Sequence, residues 1–241
     1  MRVVVVGATG NVGTSLLEAL RGEPAVESVL GLARRLPELE LPKVEWARAD
    51  VSRDDLVPHF RGADCVVHLA WKIQPSRDGG ALRATNVHGS TRVFLAAAEA
   101  DVPALVYASS VGAYSPGPKD RRVDESWPTE GIPSSFYSRH KAEVERILDH
   151  FEADHHHPQM RVVRLRPGLI FKREAATGIR RLFAGPFLPS PLLHPRLLPV
   201  VPDLPRLRFQ AVHSLDVGHA YRLAIVSPDA RGAFNVAAEA P

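Results

Sequence analysis

Four consecutive valines, Val3 to Val6, run straight into Gly7. An unbroken β-branched run ended by glycine is the pattern of a strand buried on both faces, and parallel sheets covered by helices bury strands that way. Gly10 and Gly13 complete a G-x-x-G-x-x-G, and Val12, Leu16, Leu17 and Leu20 then recur at helical spacing from Asn11 to Leu20, with a stop near Gly22 and Pro24. The chain therefore opens as strand, glycine turn and helix. Glycine allows the tight turn and a close backbone approach, and the first N–H groups of the helix offer a site for a diphosphate. The spacing differs from the G-x-G-x-x-G of dinucleotide-binding folds, so a purely structural glycine turn stays open at this point.

The alternation continues. Strands are predicted at Val26–Leu32, Val44–Arg48, Cys65–Leu69, Ala104–Ala108 and Met160–Leu165, with helices at Ser52–Phe60, Ala81–Ala100 and Ser134–Ala153. Strands alternating with helices make βαβ units, so the expected class is α/β, a Rossmann-type doubly wound parallel sheet. Between Phe171 and Arg208 the prolines at 186, 189, 191, 195, 199, 202 and 205 forbid long helices and central strands. A strand at Phe209–Val212, a helix capped by Ser214 and running through Ala224, and a strand at Ala233–Val236 are expected to resume order. The predicted division is a nucleotide-binding domain over 1–170 and a small, incomplete substrate region over 171–241 that interleaves with it.

Composition excludes several alternatives. The net charge is only +3 and the basic residues are scattered, which gives nucleic-acid binding little support. No apolar stretch is long enough to span a bilayer, and the opening valine run is broken too soon by glycine to be a signal peptide, so a cytoplasmic protein with no membrane partner is expected. The single Cys65 lies in an apolar run and reads as core. His155, His156 and His157 are consecutive, so their side chains point apart, and no metal site is expected from them.

Three groups of residues carry chemistry. Arg34 and Arg35 follow the second strand where a carboxylate would bind the ribose of NAD; a guanidinium there suits the 2′-phosphate of NADP, although surface arginines are also ordinary. Asp50, beside Val51, follows the third strand and can either accept from an adenine amine or cap the next helix. Tyr137 and Lys141 form Y-x-x-x-K at the start of a helix, on one face, where the ammonium is expected to lower the phenol pKa and orient the nicotinamide ribose. They come one βα unit after Ser109 and Ser110, which end a buried strand on the side of the sheet where ligands bind.

Taken with His68-Leu69-Ala70, Thr85-Asn86-Val87-His88-Gly89-Ser90, Val106 to Ser110, Asp124-Glu125 with Pro128, Arg166-Pro167-Gly168 and Val212 to Asp216, the chain resembles the extended short-chain dehydrogenase/reductase family, also called the NAD-dependent epimerase/dehydratase family. The resemblance implies Tyr137 as general acid/base, Lys141 as its electrostatic partner and Ser110, more than Ser109, as donor to the reacting oxygen. Counting back from Tyr114, which resembles the tyrosine that closes this motif, selects Ser110. It also implies a cofactor site made of Gly7, Thr9, Gly10, Asn11, Val12, Gly13, Arg34, Arg35, Asp50, Val51, Leu69, Ala70, Tyr137, Lys141, Pro167 and Gly168. Asn86 would brace the helix beneath the nicotinamide pocket or satisfy buried backbone.

The departures narrow the function. Val111-Gly112 stand after Ser110 where sugar-nucleotide dehydratases carry Asp-Glu, so dehydration loses its acid and base. Arg208 is one place out of register with the arginine that holds a nucleotide-sugar diphosphate, and the chain ends soon after Asn235-Val236, where family members continue. The expected function is an NADP-dependent oxidoreductase, with NAD as alternative cofactor and a small-molecule substrate. An epimerase with retained cofactor and a non-catalytic cofactor sensor are the alternatives. A homodimer through the Ala81–Ala100 and Ser134–Ala153 helices is implied by the resemblance alone.

Overall fold

The computed structural model describes residues 1–73, 78–118, 120–153, 159–176 and 209–238. Strand β1 is Arg2–Val6 and helix α1 Asn11–Arg21; β2 (Ser28–Ala33), β3 (Val44–Arg48), α2 (Val57–Phe60) and β4 (Cys65–His68) follow. Next come α3 (Gly79–Arg83), a π turn (Ala84–His88), α4 (Gly89–Glu99), β5 (Ala104–Ala108), α5 (Phe136–Ala153), β6 (Arg161–Pro167) and β7 (Leu169–Phe171). The chain closes with β8 (Ala211–His213), α6 (Ser214–Val226) and β9 (Gly232–Val236). Seven strands form one sheet in the order β3-β2-β1-β4-β5-β6-β9, all parallel, and β7 and β8 make a separate parallel pair. The strand order reverses between β1 and β4, and a crevice opens beyond their C-terminal ends.

The valine run explains the layering. Val4 and Val6 enter a core with Phe60 of α2, Phe94 of α4 and Leu148 of α5, whereas Val3 and Val5 enter a second core with Leu16 of α1 and Tyr221 and Ile225 of α6. All four valines are buried because each face of the strand has its own helical cover. Arg161 fixes the far end of α6, its guanidinium donating to the carbonyl oxygens of Ala224 (2.7 Å), Ile225 (3.0 Å) and Ala230 (3.2 Å). A cation at a helix C-terminus satisfies carbonyls that have no intrahelical partner.

Three sequence expectations need correction. The predicted helix over Ala81–Ala100 is interrupted by the π turn at Ala84–His88, which apolar spacing does not reveal because two of the three residues it buries, Thr85 and Asn86, are polar. Ser214 is not the cap of α6: His213 is, accepting from Leu215 N at 3.3 Å, while the Ser214 hydroxyl is buried against Ser15 Oγ at 2.8 Å. The Ser52–Phe60 helix shrinks to Val57–Phe60, since residues 50–54 form a tight turn closed by Asp50 and Asp54. The proline-rich stretch falls largely on 177–208, which, with His155 to His157, lies outside the described residues.

Helices α1 and α6 pack at Gly218, where an added Cβ would stand 2.5 Å from Ser15 O. Gly218→Ala should therefore cost about 1–3 kcal/mol through the forced separation of the helices. Gly22, with nothing within 4 Å, should accept alanine with little change. Urea unfolding of both variants checks this; equal midpoints would contradict the packing.

Candidate active site

The β1–α1 turn is built around absent side chains. Gly7 holds φ +88°, and a Cβ on it would meet Ala70 N at 2.7 Å; a Cβ on Gly13 would meet Ala8 O at 2.5 Å. Gly10 caps α1 with no side-chain hydrogen bond, and the first turn carries no acidic residue. The positive end of an eleven-residue helix is thus left without a side-chain counter-charge at the strand-order reversal. The cleft beside it encloses about 170 Å³. Of the predicted cofactor residues, Gly7, Thr9, Gly10, Arg34, Val51, Leu69 and Ala70 line it, joined by Trp71, Lys72 and Thr85. The glycine cradle and open helix end fit the diphosphate of a dinucleotide.

Other predicted residues sit elsewhere. Arg35 is exposed and not part of the lining, and the Asp50 carboxylate accepts from Ser52 N (3.0 Å) and Ser52 Oγ (2.6 Å), closing its own turn. Asn11 and Val12 are half-buried, and Asn11 Oδ1 lies 3.2 Å from Ser214 Oγ. Asn86 takes its backbone-satisfying role: Oδ1 accepts from Lys72 N (2.7 Å) and Nδ2 donates to Lys72 O (2.9 Å), which pins the segment after β4. Pro167 ends β6, and Gly168 is a packing glycine, since a Cβ there would approach Gln210 O at 2.6 Å.

A second corner lies at the ends of β5 and β6. Ser109 and Ser110, adjacent in sequence, have different fates. The Ser109 hydroxyl turns inward and donates to Glu145, whereas Ser110 Oγ accepts from Gly112 N at 3.0 Å. Gly112 has Tyr137 Cε1 2.8 Å and Ser110 Oγ 3.3 Å from where its Cβ would be, so the absence of a side chain there lets the phenol ring and the serine hydroxyl converge. On α5, Lys141 is buried with Nζ 2.6 Å from Ala108 O and 3.4 Å from the centroid of the Trp71 ring. Trp71 also meets the Tyr137 ring edge-on at 6.1 Å.

The charges differ from the sequence expectation. Burial raises the Tyr137 phenol, with the facing Ser110 hydroxyl working against it. The expected lowering by Lys141 is not found: the ammonium is 5.9 Å from the phenol ring centroid and is occupied by Ala108 O and the indole face. Burial lowers Lys141 to about 7, opposed by the nearby Glu145 carboxylate. Glu145 itself is driven down to about 2: burial would raise it, but hydrogen bonds and charge from Arg166, with Ser109 and Arg164, outweigh that.

The sequence reading missed Trp71, Gly112 and Glu145. Trp71 stands directly after His68-Leu69-Ala70, and Glu145 continues the helix face one step beyond Tyr137 and Lys141, so the spacing Y-x-x-x-K-x-x-x-E was available as a signal.

His68 gives a pH test. The Ser90 hydroxyl donates to Asn86 O (2.6 Å), so His68 Nε2 must donate to Ser90 Oγ (2.8 Å), as it can from either protonation state of the ring. Burial and Lys141 push it down to about 3. The unfolded histidine protonates near 6.5, so stability is complete above that pH and is lost as pH falls towards 3. Unfolding free energy measured from pH 6.5 to 4.5 should fall less steeply in His68→Gln than in the native chain; parallel slopes would show that His68 does not contribute.

The family model described as NAD dependent epimerase/dehydratase family matches residues 3–183. The chain is 28% identical over 192 residues to a decarboxylating sterol-4-alpha-carboxylate 3-dehydrogenase of Candida albicans, covering 74% of this chain and 54% of that protein. It is 34% identical over 110 residues to the L-arabinose 1-dehydrogenase (NAD(P)(+)) of Haloferax volcanii, covering 45% and 41%. The chain thus spans about half the length of these curated relatives. Among solved structures, the UDP-glucose 4-epimerase of Thermus thermophilus in complex with NAD aligns with TM-score 0.73 and 26% identity, over 98% of this chain and 78% of that one. A UDP-glucuronic acid 4-epimerase of Bacillus cereus aligns with TM-score 0.77 at 17% identity, over 100% and 78%, a likeness of fold. With three-quarters of its length under the family model and the strand order, glycine turn and Tyr137–Lys141 helix in place, the chain belongs to the NAD-dependent epimerase/dehydratase family.

Proposed function

We propose that this chain binds a nicotinamide dinucleotide across the sheet's C-terminal edge and catalyses oxidation and reduction of a small carbonyl or hydroxyl substrate. The observation that carries the reading is the convergence of Ser110 and Tyr137 over Gly112, with Lys141 on the same helix, next to a glycine cradle with an open helix end. When bound, the cofactor supplies hydride exchange with a substrate carbon. Gly7, Gly10, Asn11, Val12 and Gly13 hold its diphosphate; Leu69, Ala70 and Val51 flank the adenosine half; Pro167 and Gly168 border the nicotinamide. Ser110 donates to the substrate oxygen. Tyr137 transfers that oxygen's proton, and because burial keeps the phenol protonated it is set to act first as the acid, in the direction of carbonyl reduction. Lys141 holds the cofactor ribose and offsets charge on the phenolate left behind. Trp71 and Lys141 form one wall, so ribose contact requires the indole face to give way.

An epimerase reading uses the same three side chains and is favoured by the likeness to the 4-epimerase structure of Thermus thermophilus. Dinucleotide that co-purifies at one equivalent and resists dialysis marks the epimerase; free exchange of cofactor marks the oxidoreductase. The family resemblance also carries a homodimer through α4 and α5, and the sequence composition a cytoplasmic location; among the described residues no helix is long and apolar enough to cross a membrane.

Arg34 lines the cleft and makes NADP the preferred cofactor in this reading. Arg34→Ala should weaken NADP binding by about tenfold to a hundredfold, the worth of a partly shielded charge-assisted contact, and leave NAD nearly unchanged. Calorimetric titration of both cofactors tests this, and a native chain that binds NAD as tightly as NADP contradicts it. Tyr137→Phe should retain cofactor affinity but lose turnover, whereas Lys141→Met should lose both. Turnover by Tyr137→Phe near the native rate would overturn the assigned roles.

A further inference from the structure

Glu145 is completely buried, and from α5 its carboxylate reaches two other elements at once. It sits on α5, eight residues beyond Tyr137 and four beyond Lys141. Its Oε1 accepts from the Ser109 hydroxyl on the segment leaving β5 and from Arg166 Nε at 2.9 Å; its Oε2 accepts from Arg166 Nη2 at 3.0 Å and Arg164 Nη1 at 2.9 Å, both arginines lying on β6. Ser109 precedes Ser110, and Arg166 precedes Pro167 and Gly168. We propose that Glu145 is the positioning residue of this site, one anion that fixes the helix bearing Tyr137 and Lys141 against the serine segment and the strand end that borders the nicotinamide. The inference rests on the reading of Ser110, Tyr137 and Lys141 given under Proposed function.

The surroundings distinguish this from an ordinary core ion pair. Arg164 has other anions, Asp149 at 2.5 Å and Glu152, both nearer the surface, so its charge does not require Glu145 alone. Arg166 has no second carboxylate side chain among the described residues; its Nη1 instead donates to Tyr114 OH (3.1 Å) and Glu125 O (2.9 Å), and Tyr114 OH donates to Asn235 Oδ1 (2.7 Å). The network therefore runs from α5 through β6 to the loop after β5 and to β9. Stripping two buried arginines and a carboxylate of water is costly, and apolar packing of the same volume is often at least as stable, so stability alone is a weak reason for this arrangement. Glu145 also bears on Lys141 without touching it: it is the anion that favours the buried ammonium, against burial that lowers it. The other titratable groups facing Glu145 are Tyr107 from β5 and Arg164 and Arg166 from β6.

Nuclear magnetic resonance of chain labelled with ¹³C at lysine Cε and tyrosine Cζ tests the proposal without a substrate, with Lys141→Arg and Tyr137→Phe assigning the two signals. Glu145→Gln should lower the proton affinity of the Lys141 ammonium by about tenfold, read as a one-unit fall in its titration midpoint. Ser109→Ala removes the tether to the serine segment and leaves every charge in place; it should shift the Tyr137 signal, and Ser109→Thr should restore it. If both variants lose thermal stability while the Lys141 and Tyr137 signals stay as in the native chain, Glu145 is a core ion pair and the proposal is wrong. Should Glu145→Gln fail to fold, the Ser109→Ala and Ser109→Thr pair decides alone. Titration of the native chain with NADPH and NADH tests the underlying reading separately: no binding refutes the cofactor assignment whatever the two signals do.

Discussion

Where β1 meets α1 the backbone passes so close to its neighbours at two positions that no side chain fits: Gly7 lies against Ala70 N and Gly13 against Ala8 O. The first contact draws the turn onto the segment after β4, and the second brings the first turn of α1 down onto the end of β1. The open end of α1 is thereby aimed at the place where the strand order reverses. Asn86 completes the arrangement by holding both backbone groups of Lys72, so the segment that carries Leu69, Ala70 and Trp71 is tied to the π turn on its other side. An irregular turn in an otherwise α-helical stretch costs helix regularity, and here it places one buried amide where the β4 segment needs two hydrogen bonds.

The second half of the site is governed by buried charge. Lys141 is buried among aromatic rings and has one carbonyl as its hydrogen-bond acceptor, an environment that disfavours its ammonium, and Glu145 supplies the opposing field. Lys141 is thus held where its charge responds to pH near neutrality, while Tyr137 remains a protonated acid. The two residues do not form the directly coupled pair that the Y-x-x-x-K spacing suggests. They are neighbours on one helix face, linked through Trp71 and through the elements that Glu145 holds together.

How much of this could be read from the sequence follows from what each residue type signals on its own. Val3 to Val6 and the glycines after them announce a central parallel strand and a tight glycine turn, because burial on both faces and the lack of side chains leave direct compositional traces. The alternation of strands and helices gave the sheet. The π turn escaped because Thr85 and Asn86, which it buries, are polar and leave no apolar trace. The cluster of Arg164, Arg166 and Glu145 is not legible as a cluster: Arg166 stands out only within a motif and Glu145 only by helical spacing, and only the packing of α5 on β6 shows that they satisfy one another inside the molecule. Motif register separates Ser110 from Ser109 in the sequence, but that the Ser109 hydroxyl is committed to Glu145 is visible only in the structure.

The most direct measurement is a crystal structure of the chain with NADPH bound. The diphosphate is predicted on the backbone N–H groups of Asn11 to Gly13, the 2′-phosphate at Arg34, the nicotinamide ribose on Lys141 with the Trp71 ring displaced, and the nicotinamide beside Tyr137 and Ser110. A dinucleotide that lies in the cleft with its nicotinamide directed away from Tyr137, and with the Trp71 ring still on Lys141, would contradict it.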